Sequence, residues 1–236
     1  MSTTKIITVI VLFFLLVNHS FADRRYYIWT YQYNTISQAE TELEFYQTTF
    51  LANKDIWEYR LEVEHGLTDR LDFSVYQIFR QIPGESFKWD AVQFRMRYRF
   101  GEAGQYFVDP LLYVEYRQRL DASKPKKAEF RLVLAKQLDA LNISFNPLYE
   151  YFFSPGSVQE LGFDLGLSYE FHPSFMLGIE AVSRAVFYEN EITTGTYLGP
   201  VVSVASGSWW YTFGAGFGMN KLSDTMRIRF IMGVDL

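Results

Sequence analysis

Residues 160–172 read ELGFDLGLSYEFH. Leu161, Phe163, Leu165, Leu167, Tyr169 and Phe171 take the odd positions, and Glu160, Gly162, Asp164, Gly166, Ser168, Glu170 and His172 take the even ones. A period of two puts these sets on opposite faces of an extended strand. The run is about twice as long as a usual globular strand. Which face is turned outward decides the fold and the function.

The same rule holds on both sides of this stretch. Trp57, Tyr59, Leu61 and Val63 alternate with Glu58, Arg60, Glu62 and Glu64, and Val92, Phe94, Met96 and Tyr98 with Gln93, Arg95, Arg97 and Arg99. Leu112, Val114 and Tyr116 oppose Tyr113, Glu115, Arg117 and Arg119. Phe130 and Leu132 oppose Glu129 and Arg131, and Leu177 and Ile179 oppose Gly178, Glu180 and Arg184. The last stretch, MRIRFIMGVDL at 226–236, sets Met226, Ile228, Phe230, Met232, Val234 and Leu236 against Arg227 and Arg229. The breaks are rich in Gly, Pro, Asn, Asp and Ser, which reverse a chain. GLTDR, LDA, HPS and SGS read as tight turns, and the stretches holding KPKK and YENEITTG as longer connections. From residue 39 onward the pattern predicts about twelve strands in one domain, 39–236.

The first 22 residues carry one lysine, an apolar run from Ile6 to Val17, and Ser20 and Ala22 at signal-peptidase spacing. That run is too short for a membrane helix and predicts a secretory signal peptide over 1–22. Its removal takes Lys5 and no acid, making the net charge of −5 one unit more negative. An acidic chain offers nothing for a nucleic-acid backbone. The chain has no cysteine, so disulfides play no part. Residues 23–38, containing YYIWTYQYN, read as an N-terminal segment: an extra strand, or a piece at the rim or inside the lumen. Pro110, Pro147 and Pro200 fall within strand patterns and call for a bulge or a strand end.

Size decides which face is outside. About twelve strands enclose more space than a single apolar layer fills. With the charged faces inward, arginines and carboxylates pair with one another and with water, and Leu and Phe meet lipid without a desolvation cost. The fold class predicted is all-β: a transmembrane, antiparallel, up-and-down β-barrel. Aromatic residues, 19% of the chain, cluster toward strand ends, where interfacial girdles lie.

These features together resemble bacterial outer-membrane β-barrel proteins. The stretches ETELEFYQT and YRLEVEHGLTDRLDFSVYQ resemble uncharacterised porin-like members of that class. The resemblance implies a Gram-negative outer-membrane location and contact with outer-membrane lipid and lipopolysaccharide. It also implies recognition of residues 226–236 by the barrel-assembly machinery. In that class the final residue is usually Phe; here it is Leu236.

The mature chain is poor in catalytic material. His65 falls on the lipid-facing parity with no serine in register, and His172 sits beside a tight turn. Two scattered histidines make no metal-ligand spacing. GAGFG at 214–218 lies within a strand pattern, so it is no phosphate loop; alternate glycines on the lumen face leave room in the bore. KPKK at 124–127 reads as a solvated loop. The predicted lumen lining comprises Glu58, Arg60, Glu62, Glu64, Arg95, Arg97, Arg99, Glu115, Arg117, Arg119, Arg131, Asp164, Glu180, Arg184, Arg227 and Arg229. Glu40, Glu42, Glu44, Glu58, Glu62 and Glu64 crowd early strands, and the arginine ladder follows. Two readings stay open: a transverse field that selects solutes, or a salt-bridged lumen that locks the barrel. The expected function is a narrow passive channel for small hydrophilic solutes, without cofactor, metal or enzymatic activity. The alternatives are an outer-membrane enzyme acting on lipid and a sealed structural or assembly barrel.

Overall fold

The computed structural model describes residues 24–236 except 53–54, 155–157 and 190. The leader assignment, 1–22, lies outside the described residues. Among these residues the chain forms twelve strands: β1 Thr41–Leu51, β2 Ile56–Thr68, β3 Leu71–Gln81, β4 Lys88–Arg99, β5 Asp109–Arg119, β6 Lys126–Leu138, β7 Leu141–Phe153, β8 Gln159–His172, β9 Phe175–Tyr188, β10 Glu191–Ser206, β11 Trp209–Gly218 and β12 Met226–Asp235. Each pairs antiparallel with its sequence neighbours, and β1 pairs with β12, from Glu42↔Asp235 to Leu51↔Met226, closing the barrel. Closure removes every free sheet edge.

The alternation fixes what each face meets. On β8, Leu161, Phe163, Leu167 and Tyr169 are exposed on the outside, whereas Asp164 and Ser168 are buried within. The outer surface is thus an apolar belt, bordered at one rim by Tyr98, Phe100, Tyr169, Phe171 and Trp209 and at the other by Phe87, Trp89, Phe153 and Tyr188. A cation in mid-belt would lose its hydration in a bilayer. Leu165→Arg, halfway along β8, is therefore expected to lower the unfolding free energy by about 2–4 kcal/mol, read from urea unfolding in lipid vesicles.

The two rims differ. We call proximal the rim holding Glu40 and Leu236; its connections are 69–70, 100–108, 139–140, 173–174 and 207–208. The distal rim carries 52–55, 82–87, 120–125, 154–158, 189–190 and 219–225. YENEITTG does not lie in a long loop: β9 runs to Tyr188 and β10 begins at Glu191, because this pair pleats almost to its end. Two of the prolines are accommodated by gaps in the ladder without a register shift. Pairing of β7 with β6 skips from Arg131↔Leu148 to Leu134↔Phe145 around Pro147, and pairing of β10 with β11 skips from Leu198↔Phe217 to Val201↔Gly214 around Pro200. Pro110 is the second residue of β5. The register shifts lie elsewhere, at Gly66/Thr68, Ile78/Phe79 and Glu170/His172.

Residues 24–40 form no strand. They enter the lumen from the proximal rim, reach mid-barrel at Trp29 and return to β1. Tyr27 and Ile28 pack with Tyr46, Tyr76, Ile78, Val201, Trp210 and Ile231 on one wall. Tyr31 and Tyr33 pack against Leu111, Tyr113, Val133 and Ala135 on the facing wall. The barrel's hydrophobic core is thus made by a luminal loop and the few apolar residues that point inward.

Candidate functional site

The luminal loop is held by its backbone. Glu180, on β9, accepts from the amides of Ile28 (2.6 Å), Trp29 (2.9 Å) and Thr30 (2.8 Å) and from the Thr30 hydroxyl (2.9 Å). Asn146 accepts from the Tyr31 amide at 2.6 Å, and Ser144 donates to the Tyr31 carbonyl at 2.5 Å. Ser203 and Thr212 donate to the Arg25 carbonyl, each at 2.7 Å, and the Gln32 side-chain amide closes the neck by donating to the Arg24 carbonyl at 2.8 Å. At the proximal rim Tyr33 donates to the Gly101 carbonyl (2.7 Å) and Thr35 to the Asp69 carbonyl (2.9 Å). A loop without regular structure at this depth needs such partners, because an unpaired buried amide is costly.

Glycines make room for it. A Cβ on Gly166 would stand 2.5 Å from the Tyr27 ring, and one on Gly214 2.7 Å from Ile28. Gly214 and Gly216 of β11 are therefore sites of close approach by the loop, not empty bore, while Gly218 lies against Ser223 and Asp224 of the distal connection.

All sixteen predicted lining residues lie on the inner face, and the structure shows how they combine. On the proximal half, the glutamates and the arginine ladder are near neighbours on one wall. Arg95, fully buried, pairs with Glu62 at 2.8 Å and with Glu64; Arg97 pairs with Glu64 and with Asp72 at 2.7 Å. Arg99 donates to Thr35 at 2.7 Å. These groups pair with one another along the wall. Four guanidiniums also surround the Tyr31 ring: Arg25 at 4.3 Å, Arg131 at 5.1 Å, Arg95 at 5.7 Å and Arg97 at 6.0 Å. A ring face attracts cations, so this tyrosine ties the loop to β4 and β6.

The separation of charge lies nearer the distal rim and involves different residues. Glu115, Glu129, Glu150 and Glu160 stand in one row, directly paired across β5, β6, β7 and β8. Like charges opposite one another are unfavourable in a sheet, and this row is held by cations. Lys127 reaches Glu150 (2.8 Å), Glu129 (3.1 Å) and Glu115 (3.6 Å); Arg131 bridges Glu129 (2.8 Å) and Asp164 (2.5 Å); Arg184 bridges Asp164 (2.5 Å) and Glu160 (3.3 Å). On the other arc, from β12 to β5, Arg229, Arg60, Arg80, Arg117 and Arg119 stand together, and among the described residues Arg60 pairs with Glu58 and Arg119 with Asp90. Arg227 pairs with Asp224 at 2.8 Å at the rim.

Lys127 corrects the reading of KPKK. Lys124 lies in the 120–125 connection, but Lys127 is buried and is the central cation of the glutamate row. His65 is exposed and bonds Thr41 at 2.8 Å. His172 bonds Ser174 at 2.7 Å, and its Nδ1 also accepts from the Ser174 amide at 3.2 Å. Ser174 is buried at a two-residue turn, and this contact shapes the turn. Glu44, Glu62 and Glu64 converge closely enough to hold a cation, but Arg95 and Arg97 already occupy two of these carboxylates.

The loop divides the bore. A cavity of about 190 Å³ lies on its proximal side, lined by Tyr26, Gln32, Tyr33, Asp109, Gln137 and Asn142 among others. One of about 130 Å³ lies on its distal side, between Trp29 and the charged arcs. Each is large enough for several waters.

No family model and no curated protein sequence matches the chain. Among solved structures, a COG4313 outer membrane channel from Pseudomonas putida F1 superposes with a TM-score of 0.64 at 10% identity, covering 86% of this chain and 98% of that one. The KdgM porin gives 0.57 at 13%, covering 83% and 99%, and the NanC porin 0.55 at 13%, covering 83% and 98%. At such identities the likeness is one of fold: this chain has the closed twelve-stranded architecture of outer-membrane channel barrels.

Proposed function

We propose that the chain is a passive channel of the bacterial outer membrane for small hydrophilic solutes, narrowed by its own N-terminal loop. The observation that carries this reading is the bore itself: a polar lumen inside an apolar belt, with water-sized space on both sides of a single inserted segment. The fold likeness to barrels described as channels and porins supports it. In this reading the proximal rim, with four two-residue turns, faces the periplasm. The belt meets lipid and lipopolysaccharide, and residues 226–236 present the closing strand to the assembly machinery. Passage needs no cofactor and no catalytic group.

The density of luminal ion pairs favours one other reading, a sealed barrel with a structural role. Planar-bilayer recording separates them. The channel reading expects discrete current steps from the purified chain. Silence from both the full chain and a chain lacking residues 24–36 would leave only the sealed barrel.

A further inference from the structure

The distal cavity has more cationic groups than its carboxylates can serve. Glu115, Glu129, Glu150 and Asp164 are taken by Lys127, Arg131 and Arg184. Facing them, Arg60, Arg117 and Arg229 line the same cavity. Arg60 has Glu58 at 2.7 Å. Arg117, more than nine-tenths buried, donates through Nε to the neutral Gln93 at 2.7 Å. Arg229 donates to Thr48 and to the Ile28 carbonyl, both at 2.8 Å, and its guanidinium lies 5.5 Å from the Trp29 ring. Among the described residues neither Arg117 nor Arg229 has a carboxylate within ion-pair distance. A guanidinium has five N–H donors, so both keep donors for a ligand in the cavity they line.

The registers bring these groups together. Thr48 on β1 pairs with Arg229 on β12 and with Glu58 on β2, which places Arg229 and Glu58 in one row two strands apart. Arg60 follows Glu58 on the same face, and Arg117 projects from β5 beyond β4. One carboxylate therefore stands among three arginines in a confined space. Burial of uncompensated cations is unfavourable, and the ligand that relieves it is an anion. Planar guanidinium forks match oxygen pairs of carboxylates and phosphates.

We infer that Arg60, Arg117 and Arg229, floored by Trp29, form a binding site for a small oxyanion on the distal side of the loop. The inference deepens the channel reading, since it makes this site the element that sorts entering solutes by charge, but its test requires no conductance. Inorganic phosphate and acetate are titrated separately into the purified barrel in nonionic detergent, with binding read by calorimetry and by tryptophan emission. Saturable binding of at least one anion is expected; which one binds tells whether the site prefers a phosphate or a carboxylate. Arg117→Gln and Arg229→Gln should each weaken it about tenfold or more, while Arg70→Gln, at an exposed rim pair with Glu102, leaves it unchanged. Circular dichroism and heat-shifted electrophoretic mobility establish that each variant is folded. Absence of saturable binding by both anions, or equal affinity in the folded Arg117→Gln/Arg229→Gln double variant, overturns the site whether or not the barrel conducts.

Discussion

Deleting residues 24–36 is expected to raise single-channel conductance severalfold. No strand includes these residues, and the register that closes the barrel begins at β1, so the wall persists without them. They do occupy mid-lumen, and the cavities on either side, about 190 Å³ and about 130 Å³, would join. A one-residue version tests the same point. The Glu180 carboxylate accepts three consecutive backbone amides and one hydroxyl. Glu180→Leu strands the buried Ile28 and Thr30 amides, each costing about 1–3 kcal/mol, and the half-buried Trp29 amide, so the loop should leave the wall and the open level should dominate the record. Glu180→Gln keeps an acceptor and should open less often. If the deletion conducts no better than the intact chain, the loop is not the barrier.

Arg95→Leu should be the most destabilising single substitution in the wall. Its guanidinium is fully buried, pairs with Glu62 and Glu64, donates to Ser74 at 2.7 Å and to Tyr76, and lies 5.4 Å from the Tyr76 ring. Removing it leaves Glu62 buried without its cation and Glu64 with Arg97 alone, a loss of about 3–5 kcal/mol. Arg95→Leu combined with Glu62→Gln and Glu64→Gln removes both sides of the network, and recovery of much of that loss is expected. Urea unfolding followed by tryptophan emission measures both. A midpoint for Arg95→Leu equal to that of the intact barrel would show that the network is slack.

The wall was legible in the sequence because a strand's period reports its faces. Asp164 and Ser168 against Phe163 and Leu167 needed only parity and the argument from barrel size. The pairing inside the bore was not legible in the same way. Glu115, Glu129, Glu150 and Glu160 lie on four strands at no regular spacing, and only the stagger of the barrel aligns them. For the same reason Glu62, Glu64, Arg95 and Arg97 could all be placed on the lumen face while the pairing between β2 and β4 could not. Residues 26–34 read as an extra strand or as a piece at the rim or inside the lumen: aromatic residues alternate at Tyr27, Trp29, Tyr31 and Tyr33, but inside a barrel every side of a segment meets a wall. The signal for an inserted segment was present in the complementary place: small residues Gly166, Gly214 and Gly216 on inner parity, where bulky groups would otherwise fill a bore this wide.

The pairing of β1 with β12 has a consequence for biogenesis. The two ribbons that meet at this seam are the first and the last to leave the ribosome, and the Leu236 amide still reaches back to the Thr41 carbonyl. No partly translated chain can zip itself shut, because the seam needs β12. A chain truncated before Met226 would leave β1 and β11 as two raw edges open to any neighbour.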